Sequence, residues 1–390
     1  MKYDFDKKWD RIGKDSSKWD KPAADHGTTD IVPMWVADMD FATAPSVIDA
    51  LKERIEHPIF GYFILSDRYF NAIINWHKTR FGNDTLKKEY IAYQNSVLGG
   101  VASCISAFTQ PGDQILCNAT TYTGFTNTVK GLGRQLCLSE LVQDKDGIFR
   151  LDLEDMEKKI VENKIGLYIF CSPHNPTGRV WDKEEIEAVV DLCYKHKVIL
   201  LADEIWADFT PSGKKHIPTV TVSDKAKEIT MAMYAPSKTF NLAGLVGSYS
   251  VIYNEYIRNR VAKVASMPHY NQNNVLSCTA LIGAYEGGAE WVDELNAYIR
   301  GNQEYVYNYI TEHFKGVKTY IPEGTYLMWL DCSGCGMDIQ EVLDRMNACG
   351  VIVNDGRTFN GKTHVRMNLA CPRSQCEEAM RRFDQYVFNK

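Results

Sequence analysis

Short apolar runs alternate with amphipathic helical patterns through the middle of this 390-residue chain. The runs predicted to be strands are Tyr90–Tyr93, Gln114–Cys117, Leu167–Cys171, Val198–Ala202, Ile229–Tyr234 and Ser248–Ile252. Continuous apolar strands separated by helices are typical of a parallel sheet that is covered on both faces. Ligands of such sheets bind beyond the carboxyl ends of the strands. The residues that follow each apolar run are therefore the first candidates for a functional site.

The parts of the chain on either side of this region have a different character. Residues 1–45 are rich in aromatic and apolar side chains, which predicts an arm with little regular structure that docks on the body or on a second subunit. Residues 46–285 are predicted to form a large domain, which begins with helical patterns from Pro45 and over Asp67–Phe81. Residues 286–390 predict a smaller α+β domain, because one long helical pattern is followed by short strands and helices.

Composition and charge exclude several classes of partner. The net charge of the chain is −6, and the 44 basic and 50 acidic side chains form no long runs of like charge. Neither nucleic acid nor a membrane surface is therefore an expected partner. No apolar run reaches the roughly 20 residues of a membrane span, and the first residues do not resemble a signal peptide. We therefore expect a cytoplasmic protein. Its eleven cysteines are expected to be buried free thiols, and Cys332-Ser-Gly-Cys335 lacks the second pair that a zinc site needs.

One lysine follows a predicted buried strand directly, in the stretch Tyr234-Ala-Pro-Ser-Lys-Thr-Phe-Asn-Leu-Ala-Gly244. A lysine is rarely buried without a partner or a chemical role. Desolvation lowers its pKa toward the neutral, nucleophilic amine, which can form a Schiff base with an aldehyde. On this stretch alone, an ordinary surface lysine is the commoner interpretation of Lys238.

Two motifs before this lysine could hold a phosphorylated aromatic ligand. Asn95-Ser-Val-Leu-Gly-Gly-Val-Ala-Ser103 leads into an apolar helix, and glycines at a helix start let backbone N–H groups approach an anion closely. Thr120-Thr-Tyr-Thr-Gly124 places Tyr122 just after a strand, where its ring could lie flat on an aromatic ligand. A simple turn and a half-buried aromatic residue are the alternative interpretations.

Two further motifs place an amide and a carboxylate at strand ends. In Cys171-Ser-Pro-His-Asn-Pro-Thr-Gly-Arg179, Asn175 presents an amide that can donate to a ligand oxygen, whereas His174 could act in acid–base chemistry or only cap the loop. In Ala202-Asp-Glu-Ile-Trp206 a buried strand runs into two carboxylates. Asp203 would be costly to bury without a partner, and a pyridinium nitrogen would satisfy it.

In their order and spacing, the Asn-Pro-Thr-Gly, Asp-Glu-Ile and Ser-Lys-Thr-Phe-Asn motifs resemble the fold-type I pyridoxal phosphate enzymes of the aminotransferase class I/II superfamily. Within it, the chain looks like the MalY/PatB-type cystathionine β-lyases, or C–S lyases, over nearly its whole length. The segments that carry this likeness are Met34-Trp-Val-Ala-Asp-Met-Asp-Phe41, Phe60-Gly-Tyr62, Pro173-His-Asn-Pro-Thr-Gly178, Ala235-Pro-Ser-Lys-Thr-Phe-Asn241 and Val365-Arg-Met-Asn-Leu369. The resemblance implies an α/β fold, with a mainly parallel seven-stranded sheet in the large domain and a smaller α+β domain.

The resemblance also implies a role for each candidate residue. Lys238 would hold pyridoxal phosphate and move the Cα proton of the substrate, and Asp203 would keep the pyridine nitrogen protonated. Arg366 would clamp the α-carboxylate of a small amino-acid substrate. The other implied contacts are Gly99, Gly100, Val101 and Ser237 to the phosphate, Tyr122, Asn175 and Trp206 to the ring, Asn175 and Trp35 to the substrate, and Tyr62 to the phosphate of the neighbouring subunit in a homodimer with shared active sites.

Two positions depart from the pattern of the relatives. Trp206 stands where these families usually carry a tyrosine or histidine that donates to the phenolate oxygen of the cofactor. Val246 stands eight residues after the lysine, where the broader superfamily often has an arginine that binds phosphate. The phosphate must then be held with less positive charge, by backbone donors, Tyr62 and Ser237. The MalY-type sequences share this absence, so the resemblance favours the lyases slightly over a typical aminotransferase.

The resemblance leads to one main function and three alternatives. The main one is β-elimination on L-cystathionine or a related cysteine thioether, which gives a thiol, pyruvate and ammonia. Transamination between an amino acid and a 2-oxo acid uses the same cofactor site and is the first alternative. A non-catalytic ligand sensor usually carries an added DNA-binding domain, and a nicotinamide dehydrogenase would need a G-x-G-x-x-G motif after the first strand. We expect neither of these two.

Overall fold

A computed structural model describes residues 1–145 and 147–388, and its elements are numbered in chain order. The strands are β1 (Val32–Pro33), β2 (Ile91–Gln94), β3 (Gln114–Ala119), β4 (Gln135–Gln143), β5 (Phe149–Leu151), β6 (Leu167–Cys171), β7 (Ile199–Asp203), β8 (Thr230–Tyr234), β9 (Ser248–Val251), β10 (Leu327–Asp331), β11 (Val351–Ile352), β12 (Asn354–Asp355) and β13 (His364–Asn368). The α-helices are α1 (Asp20–His26), α2 (Pro45–Glu56), α3 (Asp67–Phe81), α4 (Val97–Phe108), α5 (Thr123–Gly131), α6 (Leu153–Asn163), α7 (Lys183–Lys195), α8 (Asp224–Ile229), α9 (Pro236–Thr239), α10 (Glu255–Ser266), α11 (Val275–Gly287), α12 (Ala289–His313), α13 (Ile339–Ala348) and α14 (Arg373–Phe383).

The largest sheet has the strand order β2-β9-β8-β7-β6-β3-β4-β5. The five strands β8, β7, β6, β3 and β4 run parallel to one another, whereas β9 is antiparallel to both of its neighbours. The seven strands from β2 to β4 correspond to the expected sheet, and the short edge strand β5 adds an eighth. This architecture confirms the predicted α/β fold.

The sheet is buried on both faces, as its continuous apolar strands require. One face packs against α4 and α10, through buried side chains such as Val101 and Val261. The other face contributes to the largest apolar core, in which Trp181 and Val190 are buried. Burial is complete along β6 and β8, in which all five residues are buried, and along the last four residues of β7. Polar groups at the ends of these strands are therefore desolvated unless they reach a cavity.

Sequence signals account for the helix boundaries in the first part of the chain. Helix α2 ends at Glu56, just before the His57-Pro58 pair, because the residue before a proline disfavours helical backbone. Helix α3 begins after Ser66, whose side chain accepts from the Tyr69 amide, and it ends at Gly82 in a left-handed conformation. These caps position the chain on either side of an exposed loop, residues 57–66.

The C-terminal part contains a second sheet with the order β10-β13-β12, and both of its pairings are antiparallel. The N-terminal arm joins this part, because β1 pairs with β11 and Met34 packs into the same apolar core as Met367. The arm also contains helix α1. Apart from α1 and β1, residues 1–44 form no helix or strand, in agreement with the expectation of an arm with little regular structure.

Two further features bear on the expected environment of the chain. Among the described residues, none of the helices is both long enough and apolar enough to cross a membrane. All eleven cysteines are free thiols, and nine of them are buried. Burial raises the pKa of thiols such as Cys104, to about 12, so these cysteines are packing residues rather than nucleophiles.

Candidate active site

The carboxyl ends of β6, β7 and β8 open into a cavity of about 520 Å³. Residues from β13, the arm and the start of α4 complete its wall. Twelve residues were predicted for the site, and eight of them line this cavity. The eight are Trp35, Tyr122, Asn175, Asp203, Trp206, Ser237, Lys238 and Arg366. The sheet edge therefore brings together motifs that lie far apart in sequence.

Lys238 lies in the one-turn helix α9, which begins at Pro236 directly after β8. Its amine donates to the backbone carbonyl of Ala37 at 2.8 Å. Burial and the positive charge of Arg366 lower the pKa of this amine to about 8, although Asp38 and Asp203 oppose the effect. About a tenth of the amine is therefore neutral and nucleophilic at pH 7, compared with well under a thousandth at the ordinary lysine pKa of about 10.4.

Asp203 is the last residue of β7 and is 3% exposed. Within the described part of the chain, its carboxylate has one hydrogen bond: the amide of Ile205 donates to Oδ1 at 3.1 Å. Burial, with a contribution from the charge of Glu204, raises the pKa of Asp203 to about 7. A carboxylate that faces a cavity with so few partners is poised for a cationic ligand group.

The neighbouring Glu204 turns away from the cavity and is fully satisfied. Its carboxylate accepts from His216 Nε2 at 2.7 Å, from the Thr219 amide at 2.8 Å and from the hydroxyl of Tyr234 at 2.5 Å. Burial alone would raise the pKa of Glu204, but His216 and these donors lower it. The two adjacent carboxylates thus differ in role: Glu204 supports the fold and Asp203 faces the site.

Arg366 lies on β13 and is 4% exposed. Its Nη1 donates to Asn175 Oδ1 at 3.0 Å, and its Nη2 donates to the Trp35 carbonyl at 3.3 Å and to Asn354 Oδ1 at 2.6 Å. Its buried Nε has no hydrogen-bond partner among the described residues. Burial lowers the pKa of the guanidinium to about 10. Because Asn175 uses its oxygen here, its Nδ2 is the group left to donate to a ligand.

Three other predicted residues form the sides of the cavity. Tyr122 precedes α5, and its ring lies so close to Gly124 that a Cβ there would come within 2.3 Å of it. Trp206 is 2% exposed and packs edge-to-face on Tyr326, with its ring centre 5.8 Å from the Lys238 amine. Ser237 lines the cavity beside the lysine.

The predicted phosphate donors Gly99, Gly100 and Val101 do not line the cavity. The Gly99 amide donates to the side chain of Ser96, and the Gly100 amide donates to the Ser96 carbonyl, so both are used inside α4. The residues that do line the cavity are Ser96, Val97 and Leu98. As the first two residues of the helix, Val97 and Leu98 have amides without an intrahelical acceptor. The part of the helix start that lines the cavity therefore lies two to three residues before the predicted donors.

Gly100 has a packing role instead. A Cβ at this position would come within 2.4 Å of Cε and 2.8 Å of Sδ of Met233, a residue of β8. The glycine thus allows α4 to approach the strand that leads to Lys238.

Tyr62 lies outside the cavity, in the exposed loop 57–66. Its side chain is fully exposed, and Ile59, Phe60 and Ile64 beside it are each more than half exposed. Within a single chain this tyrosine therefore contacts none of the cavity residues.

The arm segment from Trp35 to Phe41 closes the cavity between Lys238 and Arg366, the two cationic side chains of the cavity wall. Asn241 holds it from the lysine side: it accepts from the Met39 amide at 3.0 Å and donates to the Met39 carbonyl at 2.8 Å. Asn368, two residues after Arg366, donates to the carbonyls of Val36 and Asp38. These two asparagines had no predicted role, although both fall inside the motifs that carried the family resemblance.

His174 is buried and does not line the cavity. Its Nδ1 lies 2.8 Å from the hydroxyl of Thr177, inside the loop that carries Asn175. Burial lowers the pKa of His174 to about 3, so it is neutral at physiological pH. Of the two interpretations left open by the sequence, the geometry favours the loop-capping one.

Comparisons with known proteins agree with this geometry. The cystathionine β-lyase PatB of Bacillus subtilis (strain 168) is 36% identical over 97% of this chain and 98% of its own length. The structure of cystalysin from Treponema denticola, which contains pyridoxal 5'-phosphate, superimposes with a TM-score of 0.95 at 30% identity, over 99% of this chain and 98% of that one. A pyridoxal phosphate-bound C–S lyase from Staphylococcus hominis matches with a TM-score of 0.90 at 28% identity, over 100% and 99% of the two chains. The sequence pattern of the family aminotransferase class I and II matches residues 29–383, and the chain belongs to this family.

Proposed function

We propose that this protein is a pyridoxal phosphate-dependent C–S β-lyase, which cleaves L-cystathionine or a related cysteine thioether to a thiol, pyruvate and ammonia. The observation that carries the proposal is the convergence of three buried charged groups on one cavity. These are the Lys238 amine with a lowered pKa, the Asp203 carboxylate without a cationic partner, and the Arg366 guanidinium without an anionic one.

The residues of the cavity fit pyridoxal phosphate. Asp203 is buried with one backbone donor, and a protonated pyridine nitrogen would supply the missing partner. Lys238 would hold the aldehyde, the ring of Tyr122 and the Nδ2 of Asn175 would contact the pyridine ring and its oxygen, and the first amides of α4 with Ser237 would hold the phosphate. When bound, the cofactor supplies an aldehyde for the amino group and a ring that accepts electrons from Cα.

The chain's own side chains then perform two tasks on the substrate. Arg366 binds the α-carboxylate, since its buried guanidinium has donors left over and no carboxylate of the described residues within ion-pair distance. The amine of Lys238 takes the proton from Cα, and its lowered pKa places it close to the operating pH of a general base. Loss of the thiolate from Cβ follows removal of that proton.

Elimination and transamination share these groups, so the relatives decide between them. PatB is a cystathionine β-lyase by name, and the Staphylococcus hominis structure is a C–S lyase. In this chain, the position of the superfamily's phosphate-binding arginine is occupied by Val246, which lines the cavity. Both observations favour the lyase.

Pyruvate formation from L-cystathionine without any 2-oxo acid tests the proposal. We expect pyruvate and homocysteine in equal amounts. A strict requirement for an amino acceptor would show that the protein is an aminotransferase instead. In the variant Lys238→Ala, we expect pyruvate formation to fall by at least ~1,000-fold, because both the anchoring and the proton-transfer group are lost. Lys238→Arg, which keeps the charge but not the nucleophile, is the matched control and should be equally inactive.

The proposal includes a homodimer with shared active sites. It is supported by the exposed loop 57–66, where four large apolar or aromatic side chains are each more than half exposed in the single chain. Tyr62 in this loop would reach the phosphate in the site of the second subunit. Sedimentation of the purified protein should give twice the mass of one chain. Co-expression of Lys238→Ala and Tyr62→Phe chains should restore one intact site per mixed dimer.

A further inference from the structure

Asn354 lies opposite the carboxylate-binding arginine in the second sheet. Strands β12 and β13 pair in antiparallel fashion, and the register places Asn354 directly across from Arg366. Asn354 Oδ1 accepts from Nη2 of the guanidinium at 2.6 Å, which is shorter than the contacts to Asn175 Oδ1 at 3.0 Å and to the Trp35 carbonyl at 3.3 Å. Asn354 also lines the cavity.

The partners of Arg366 are all neutral oxygens. Two are side-chain amides and one is a backbone carbonyl, and the ring of Phe359 covers one face of the guanidinium, with its centre 4.2 Å away. Among the described residues, no aspartate or glutamate forms an ion pair with Arg366. These contacts fix the direction of the guanidinium while its charge stays available for an anionic ligand. An aspartate at position 354 would accept the same hydrogen bond but would also consume that charge.

The amide orientation of Asn354 follows from chemistry. A guanidinium has only donors, so the atom of Asn354 that faces it must be the oxygen. The Nδ2 group therefore points elsewhere, and among the described residues it has no acceptor. Asn354 is a residue of the cavity wall, so its Nδ2 is an unused donor on the residue that contacts the guanidinium. The buried Nε of Arg366 likewise has no partner among the described residues.

We propose that Asn354 is a substrate-binding residue, whose Oδ1 orients Arg366 and whose Nδ2 donates to the α-carboxylate of the substrate. The assignment rests on the proposed function, because it takes the ligand of Arg366 to be an amino acid. It makes the α-carboxylate site a two-residue clamp built across the β12–β13 pair. Its selectivity for a carboxylate over a neutral amide depends on the absence of a negative charge at position 354.

Binding of two non-eliminating ligands separates this role from a structural one. L-Alanine and L-alaninamide differ only in the carboxylate, and neither has a leaving group on Cβ. Their dissociation constants are measured with the holoenzyme from the change in cofactor absorbance. In the wild type we expect L-alanine to bind much more tightly than L-alaninamide. In Asn354→Asp we expect this ratio to fall at least tenfold, with L-alaninamide binding unchanged or tighter.

The control is Asn360→Asp, which introduces the same charge six residues later, at an exposed position outside the cavity. In this control, the ratio of the dissociation constants of the two ligands should match that of the wild type. If Asn354→Asp does not fold, Asn354→Ser removes the Nδ2 donor without adding charge, and its ratio should fall at least threefold.

Equal weakening of both ligands in the Asn354 variants, or an unchanged ratio, would overturn the proposal, since a packing role affects both ligands alike. The outcome is independent of the elimination assay. A wild type that distinguishes the two ligands but forms no pyruvate would contradict the lyase function and leave the clamp intact.

Discussion

Nη1 of Arg366 donates to Oδ1 of Asn175 at 3.0 Å, and this hydrogen bond joins strand β13 to the loop after β6. Both side chains are buried, with 4% of each exposed. The contact links the proposed substrate-binding group to the group that we propose contacts the cofactor. It also leaves the Asn175 Nδ2 as a donor toward the cavity.

The first prediction concerns this contact. In Asn175→Ala, the buried guanidinium loses one acceptor and the cofactor loses one donor. Hydrogen bonds to charged groups are worth about 1.5–3 kcal/mol, so we expect kcat/KM for L-cystathionine to fall by roughly 10- to 100-fold. Steady-state pyruvate release measures the effect. A fall of less than about threefold would show that Arg366 is held well enough without Asn175.

The second prediction concerns the pH dependence of stability that Asp203 causes. Burial raises the pKa of this carboxyl to about 7, compared with about 3.9 in an unfolded chain. Between these values the folded state binds more protons, so the stability contribution of this group is lost as the pH rises from about 4 to about 7. Asp203→Asn removes the buried charge. In cofactor-free protein at about pH 8, we expect the free energy of unfolding of the variant to exceed that of the wild type by about 2–4 kcal/mol. At about pH 4.5 we expect little difference between the two.

Urea unfolding of the two cofactor-free proteins at both pH values measures this gain. Glu204→Gln is the matched control, because the pKa of Glu204 is lowered by His216 and the neighbouring donors despite its burial. Its contribution therefore has the opposite sign: it is present above the unfolded pKa and is lost as the pH falls. The control should lose stability at the higher pH. Equal responses of the two variants would contradict the assignment of Asp203 as the unsatisfied carboxylate.

The sequence identified those site residues whose chemistry is tied to the end of a parallel strand. Asp203 and Lys238 each follow an apolar run by a few positions, and in a parallel sheet such ends meet at one edge. The roles given to them came from the family resemblance, since burial alone allows a structural interpretation. Arg366 could be placed only through that resemblance, because it lies in the middle of a strand in the second sheet.

The site residues that the sequence missed depend on pairing between distant segments. Asn354 faces Arg366 through the register of β12 with β13, and nothing in either strand alone encodes that register. The predicted phosphate donors do not line the cavity, because Ser96 caps α4 and the helix starts at Val97, before the glycines. Strand β4 was missed for a related reason: it lies near the sheet edge, and most of its residues are partly or fully exposed, so it has no continuous apolar run.

The third prediction concerns Trp206, at the position where the family resemblance implies a tyrosine or histidine. Its ring centre lies 5.8 Å from the Lys238 amine. In Trp206→Tyr, a hydroxyl could donate to the phenolate oxygen of the cofactor and so favour the deprotonated form of the lysine-bound cofactor. We expect the pH midpoint of the visible absorbance change to fall by about one unit. Trp206→Phe, which lacks a donor, is the control. Superimposable titrations of wild type and Trp206→Tyr would contradict the prediction.

The last prediction concerns the backbone of Val246. This residue lines the cavity with φ 58° and ψ 165°, a conformation that is essentially restricted to glycine and is unfavourable for a β-branched side chain. The following amide, of Gly247, donates to the Asn95 carbonyl at 2.6 Å and so holds the strained turn against the segment before α4. Such strain destabilises the folded state by about 1–3 kcal/mol. Glycine would relieve it, but the greater chain entropy of glycine in the unfolded state would cancel up to about 1 kcal/mol of the gain. We therefore expect Val246→Gly to raise the unfolding free energy by about 1 kcal/mol in urea titrations, whereas Val246→Ala, which keeps the Cβ, should not. Equal stabilities of the Gly and Ala variants would contradict the strain.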